Sequence, residues 1–174
     1  MHTNPIKILA IDPGTKEIGI AMLSDGELLY YGVKTIRTRS SPGAVLKQTQ
    51  YIISRLIADY EPQHLAIEKT FMIQKSAALL AVAADEIKAT AKREGLIVFE
   101  YAPLAVRKMI CKSGKATKKG VARVIALRFP ELTRYVQRQT KWETLYYANM
   151  FDAIAVGLYC HEELISRNES FDSN

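Results

Sequence analysis

Histidine and cysteine are scarce in this chain, which narrows its possible chemistry at once. Only His2, His64 and His161, Cys111 and Cys160 are present among 174 residues. The two cysteines lie far apart and have no Cys or His at zinc-ligand spacing, with only His161 adjacent to Cys160, so both are read as reduced thiols. With the histidines scattered and no Gly-x-Ser-x-Gly, nucleophilic Ser/His/Asp or Cys/His catalysis has no support. Long apolar runs are missing too. Nothing approaches the roughly 18 residues of a membrane span, and residues 1–7 lack the basic and apolar regions of a signal peptide. A cytoplasmic protein without a membrane partner is expected.

Acids are missing from one stretch. Across residues 104–141 the single acid Glu131 stands against eleven basic residues, a local balance of +10 within a net charge of +6; the remainder sums to −4. Positive charge confined to one segment fits a polyanion-binding face. The plainer alternative is a solvated, helix-rich surface that happens to be basic.

What is present is an α/β pattern with 48% hydrophobic residues, enough for one domain over 1–165 followed by a polar tail at 166–174 expected to fray. Strand-like runs at 7–12, 17–23 and 27–37 are split by Pro13-Gly14 and Asp25-Gly26, which suggests an antiparallel meander with a tight second hairpin. Ser41 as N-cap and Pro42 at the first helical position open a helix that stops before Pro62. A short apolar run at 65–67 ending on Glu68 reads as a central strand. An alanine-rich helix at 76–93 closes on Gly95, and 96–99 reads as a fifth strand. A short helix at 103–110, a basic loop at 111–115, a helix at 117–128 and a last helix from 141 to about 164 complete the chain.

Two of these strands end on a carboxylate. Ligands gather at strand ends in α/β sheets, so Asp12 and Glu68 are site candidates. Asp12 has an equal alternative as the opener of a Pro-Gly turn, and Glu68 as an ion-pair partner of Lys69 or Lys75. Asp152, at the edge of the apolar run 153–158 on the last helix, is a third candidate, with loop capping as its alternative. Brought together with no obvious basic partner, three such acids repel unless protonated or bridged by cations. Oxygen donors without histidine or thiolate favour Mg²⁺ or Mn²⁺. Two such ions about 4 Å apart activate water and stabilise the leaving oxygen of a phosphodiester. A basic track beside them neutralises the phosphates of a nucleic acid.

The segments Ile8-Leu9-Ala10-Ile11-Asp12-Pro13-Gly14, Ala66-Ile67-Glu68-Lys69-Thr70-Phe71, Phe99-Glu100-Tyr101-Ala102-Pro103 with Val106-Arg107, and Phe151-Asp152-Ala153-Ile154-Ala155 together resemble the RuvC-type Holliday-junction resolvases, in order and spacing over about residues 6–162. The resemblance implies an α/β protein of RNase H-like fold (retroviral integrase superfamily), with a five-stranded mixed sheet flanked by helices. It also implies a homodimer nicking four-way DNA junctions symmetrically with Mg²⁺, Mn²⁺ able to substitute, and suggests delivery by a branch-migration motor complex. By the same resemblance Asp12, Glu68 and Asp152 are catalytic metal ligands. The matching fourth ligand position holds Asn149, on the same helix face as Asp152; an amide oxygen coordinates a hard cation but brings no charge and cannot act as a base. Phe71 matches an aromatic that stacks on a base of the opened junction, with a core phenylalanine as its alternative. Arg107 and Lys118 align with basic positions near the scissile phosphate, and Lys108, Lys112, Lys115 and Lys119 are read as DNA-backbone contacts. The alanine-rich helix matches the dimer interface, or else simply packs on the sheet.

Three competing functions remain open at this point. A related RNase H-like nuclease could act on RNA precursors or other branched DNA. A phosphate-binding domain of the actin and sugar-kinase type also places Asp-x-Gly-Thr after a strand, but needs a second such motif and about twice the length. A junction-binding protein weakened in catalysis is motivated by Asn149.

Overall fold

Side chains alternate along a strand, so in the first strand Ile8, Ala10 and Asp12 share one side while Leu9 and Ile11 share the other. The computed structural model describes residues 4–37, 41–70, 77–113, 115–137 and 140–172, and this alternation divides its interior into two cores, one on each face of a single sheet. Strands β1 (Lys7–Asp12), β2 (Glu17–Ser24), β3 (Glu27–Thr35), β4 (His64–Glu68) and β5 (Ile97–Tyr101) form one sheet in the order β3-β2-β1-β4-β5. The β1–β2 and β2–β3 pairs are antiparallel, and the β1–β4 and β4–β5 pairs are parallel. The expected meander is therefore present, and its tight turn places both Asp25 (φ 50°) and Gly26 (φ 80°) in the left-handed region that a two-residue hairpin demands.

One face of the sheet carries Leu9, Ile11, Ile18, Ile20, Met22, Leu65 and Ile67, packed against helices α1 (Pro42–Tyr60) and α2 (Ala77–Arg93). Ser41 caps α1 as expected, its hydroxyl oxygen accepting from the Ala44 N–H at 3.2 Å. The other face is built differently. Ile8, Ala10, Ala21, Leu23 and Ala66 meet α3 (Pro103–Cys111), α4 (Lys118–Arg128) and α5 (Lys141–Asp172). Small residues on both sides let α5 lie close to the sheet. A Cβ at Gly157 would stand 2.4 Å from Leu23 Cδ1 and 2.9 Å from Ala10 Cβ, and one at Gly19 would stand 1.9 Å from the Asn149 carbonyl oxygen.

Some boundaries depart from expectation. The third strand ends at Thr35, before 37, and a 3-10 helix spans Pro130–Tyr135 in a stretch that carried no assignment. The larger correction concerns the tail. Instead of ending near 164, α5 continues to Asp172. Polar side chains tie it down: Ser166 Oγ donates to the Glu162 carbonyl at 2.9 Å, Arg167 pairs with Glu163 at 2.5 Å, and its guanidinium lies 5.6 Å from the Phe99 ring centroid. Phe71, Lys75, Ser76, Gly114 and Arg138, all part of sequence expectations, lie outside the described residues.

Candidate active site

The register explains how two of the acids meet. Ile11 on β1 pairs with Ile67 on β4, and these strands run parallel, so Asp12 and Glu68 follow side by side at the same end of the sheet. Each shares its strand face with an alanine that packs under α5, Ala10 and Ala66 respectively. Asp12 also pairs with Gly19, the residue over which the α5 backbone passes at Asn149. One helical turn further on, α5 brings Asp152, 6% exposed, over the same strand ends. Small residues at 10, 19, 66 and 157 thus set the distance from helix to sheet, and with it the convergence of three carboxylates from β1, β4 and α5.

Their charges interact. Burial raises the Asp12 carboxyl well above the ordinary carboxylate range, with Asp152 and Glu68 pushing in the same direction and Lys118 opposing. Burial and then Asp152 push Glu68 up to about 7, against the pull of Lys118 and Arg107. The expectation that Asp152 lacks a basic partner is corrected here: Lys118 Nζ donates to Asp152 Oδ2. Burial works against the Lys118 charge, but Asp152, Asp12 and Glu68 together raise its pKa.

The position of that lysine is costly by local rules. Lys118 and Lys119 open α4, whose Thr117 cap accepts from the Gly120 N–H at 3.1 Å and whose first turn holds no acid. Cations at a helix N-terminus oppose the macrodipole by about 0.3–1 kcal/mol each. A violated local preference beside a carboxylate cluster is what a functional site leaves behind. Arg107, half-buried on α3, reaches the field of Glu68. Lys108, also on α3, and Lys112 and Lys115 after it are exposed, Lys112 with φ 56° closing the helix. The basic residues therefore continue from the carboxylates across the surface of α3, its following turn and α4.

Asn149 is half-buried, and its Nδ2 lies 3.5 Å from Glu17 Oε2, a weak contact to a carboxylate that sequence reasoning passed over. Glu17 shares its strand face with Gly19, a pattern-level signal that was available. Among the described residues no group of three His, Cys, Asp or Glu side chains is closed around a position for one metal ion. The donors nonetheless fit a hard divalent cation in chemistry: all are carboxylate oxygens, and Lys118 offsets only part of their mutual repulsion.

A model of the family described as crossover junction endodeoxyribonuclease RuvC matches residues 8–160. Proteins of that description are 32% identical in Marinobacter nauticus over 162 residues, covering 90% of this chain and 86% of that one, and 30% identical in Myxococcus xanthus over 164 residues, covering 90% and 80%. The solved structure of Thermus thermophilus RuvC superposes with a TM-score of 0.72 at 17% identity, covering 92% of this chain and 96% of that one. The Thermus thermophilus protein in complex with a Holliday junction substrate gives 0.68 at 19% identity, covering 88% and 90%. These structures speak for the fold, which is RNase H-like. The family match runs from β1 through Asp12, Glu68 and the basic α3–α4 segment to Asp152 on α5, and on that ground the chain belongs to the RuvC family of crossover junction endodeoxyribonucleases.

Proposed function

We propose that this chain resolves four-way DNA junctions by hydrolysing a phosphodiester in each of two opposed strands, at a centre made by Asp12, Glu68 and Asp152. The observation that carries the reading is the meeting of three repelling carboxylates from β1, β4 and α5 beside an exposed run of basic side chains. Asp12, Glu68 and Asp152 would hold Mg²⁺, two ions per site, with Mn²⁺ able to replace it and Asn149 adding an uncharged oxygen. Bound there, the ion supplies Lewis-acid charge at the phosphodiester and makes an attacking water more acidic.

The chain's own residues do the rest. Lys118 and Arg107 bring positive charge to the carboxylates and hold the phosphate being cut. Lys108, Lys112, Lys115 and Lys119 neutralise backbone phosphates on either side and set the strand's register without reading bases. Phe71 follows Glu68 by three positions and is assigned to stacking on a base at the opened branch point. Two symmetric nicks need two such centres, which a homodimer joined through α2 provides. A branch-migration motor would deliver the junction to it.

The test compares four-way DNA, three-way DNA and structured RNA under Mg²⁺. Paired nicks confined to four-way junctions are expected; preferential cleavage of the RNA would transfer the centre to a different substrate class. Binding without nicking, rescued by Asn149→Asp, would mark a catalytically weakened junction binder.

A further inference from the structure

Between α4, the 3-10 helix and the first half of α5 lies a cavity of about 290 Å³ whose apolar and aromatic side the hydrolysis described above leaves unused. Its two sides differ in chemistry. Lys118 and Lys119 stand on one, while Tyr135, Tyr147, Leu145 and Phe151 make the other apolar and aromatic. The Tyr135 and Tyr147 rings are 4.7 Å apart between centroids and inclined by 59°. From outside, the Arg134 guanidinium lies 4.7 Å over the Tyr135 ring and donates to its hydroxyl at 2.8 Å, holding that ring in place. Lys118 also reaches Asp152, so the cavity adjoins the carboxylate centre.

Size and chemistry together select the occupant. The volume falls just below the roughly 300–1,000 Å³ that encloses drug-sized ligands, which suits one planar ring system. A cationic rim beside a wall of π-faces is complementary to a nucleotide, phosphate on the lysines and base against the tyrosines. A base within a duplex is covered by its neighbours and its partner, so the guest must be turned out of the helix.

We infer that this cavity receives a single nucleobase turned out of a DNA strand next to the nicked phosphate; the inference rests on the junction-cleaving function proposed above. Capture of an extruded base favours positions where pairing is already broken, because those give up their base at the lowest cost. The cavity thereby directs the centre toward a branch point and away from uninterrupted duplex.

The experiment is an abasic scan of a four-way DNA junction over three nucleotides on each side of the nick, with wild-type protein and Leu145→Trp. Leu145 is 64% exposed at the edge of the cavity, so a larger ring there fills it without entering the core. For wild type, removing the base at one position weakens binding at least about 5-fold, and 2-aminopurine at that position changes its emission on binding. Leu145→Trp loses both effects. A scan of the wild-type protein in which no position matters overturns the proposal without any variant, and so does a base effect that persists undiminished in Leu145→Trp. In either case the junction is still bound and nicked, so the proposed function stands; a wild-type protein that neither binds nor nicks the junction overturns both.

Discussion

Asp152 is almost fully buried and its carboxylate accepts from Lys118, so removing the lysine leaves a buried charge without its counter-ion. Breaking a fully buried pair costs about 3–5 kcal/mol; with the Lys118 side chain 51% exposed, about 1–3 kcal/mol is expected here. Lys118→Met should lower the denaturant midpoint in chelator and lose part of that penalty when Mg²⁺ is added. The raised Asp12 and Glu68 carboxyls give a second expectation. The folded chain holds their protons more tightly than the unfolded chain, so between about pH 4.5 and 7 the folded state binds more protons and stability falls as pH rises. Thermal melts in chelator should decline from pH 5 to pH 8, and the stabilisation by Mg²⁺ should be larger at pH 8. At this scale the acids are legible in the sequence because each interrupts an apolar run. The Lys118–Asp152 pair is not, because 34 positions separate residues that only the α4–α5 packing brings together.

Helix α5 reaches the sheet through small residues, so its distance from β1 depends on what stands at Gly157. Gly157→Ala puts a methyl where Leu23 and Ala10 already lie. Overpacking of this kind costs about 1–3 kcal/mol, read as a lower melting temperature. Because α5 also carries Asp152 and Ala10 precedes Asp12 on the same face of β1, a shift at Gly157 moves the carboxylates, and the nicking rate should fall while junction affinity holds. The strands and helices themselves were readable from turn signals, caps and periodicity: Asp25-Gly26, Ser41-Pro42 and the alternation in 7–12 each encode their element locally. The extension of α5 beyond 164 was not, since polar side chains such as Ser166 and Arg167, which bond back to Glu162 and Glu163, carry no apolar periodicity. The cavity beside α4 went unseen for a related reason. Tyr135 and Tyr147 come from different elements, and the aromatic spacing of Trp142, Tyr146 and Tyr147 was a signal available in the sequence that no reading used.

At the scale of the whole molecule, a carboxylate cluster at one end of the sheet adjoins a basic surface on α3, its following turn and α4, and the Lys118–Asp152 pair joins the two. The charge count along residues 104–141 reveals that arrangement in advance, since it needs no tertiary contact. Phosphate contacts are independent of base sequence, so Lys112→Ala or Lys115→Ala should weaken junction binding uniformly across sequences and lower the slope of log affinity against log salt by about 0.9 each. The central claim is that this surface delivers a junction to Asp12, Glu68 and Asp152 for hydrolysis. The most direct measurement is nicking of a labelled four-way junction in Mg²⁺ by wild type and by Asp12→Asn, with binding followed in parallel. Wild type should give paired nicks and the variant a loss of at least about 100-fold, with binding retained. Full nicking by Asp12→Asn, or an intact junction after incubation with wild type, would contradict the central claim.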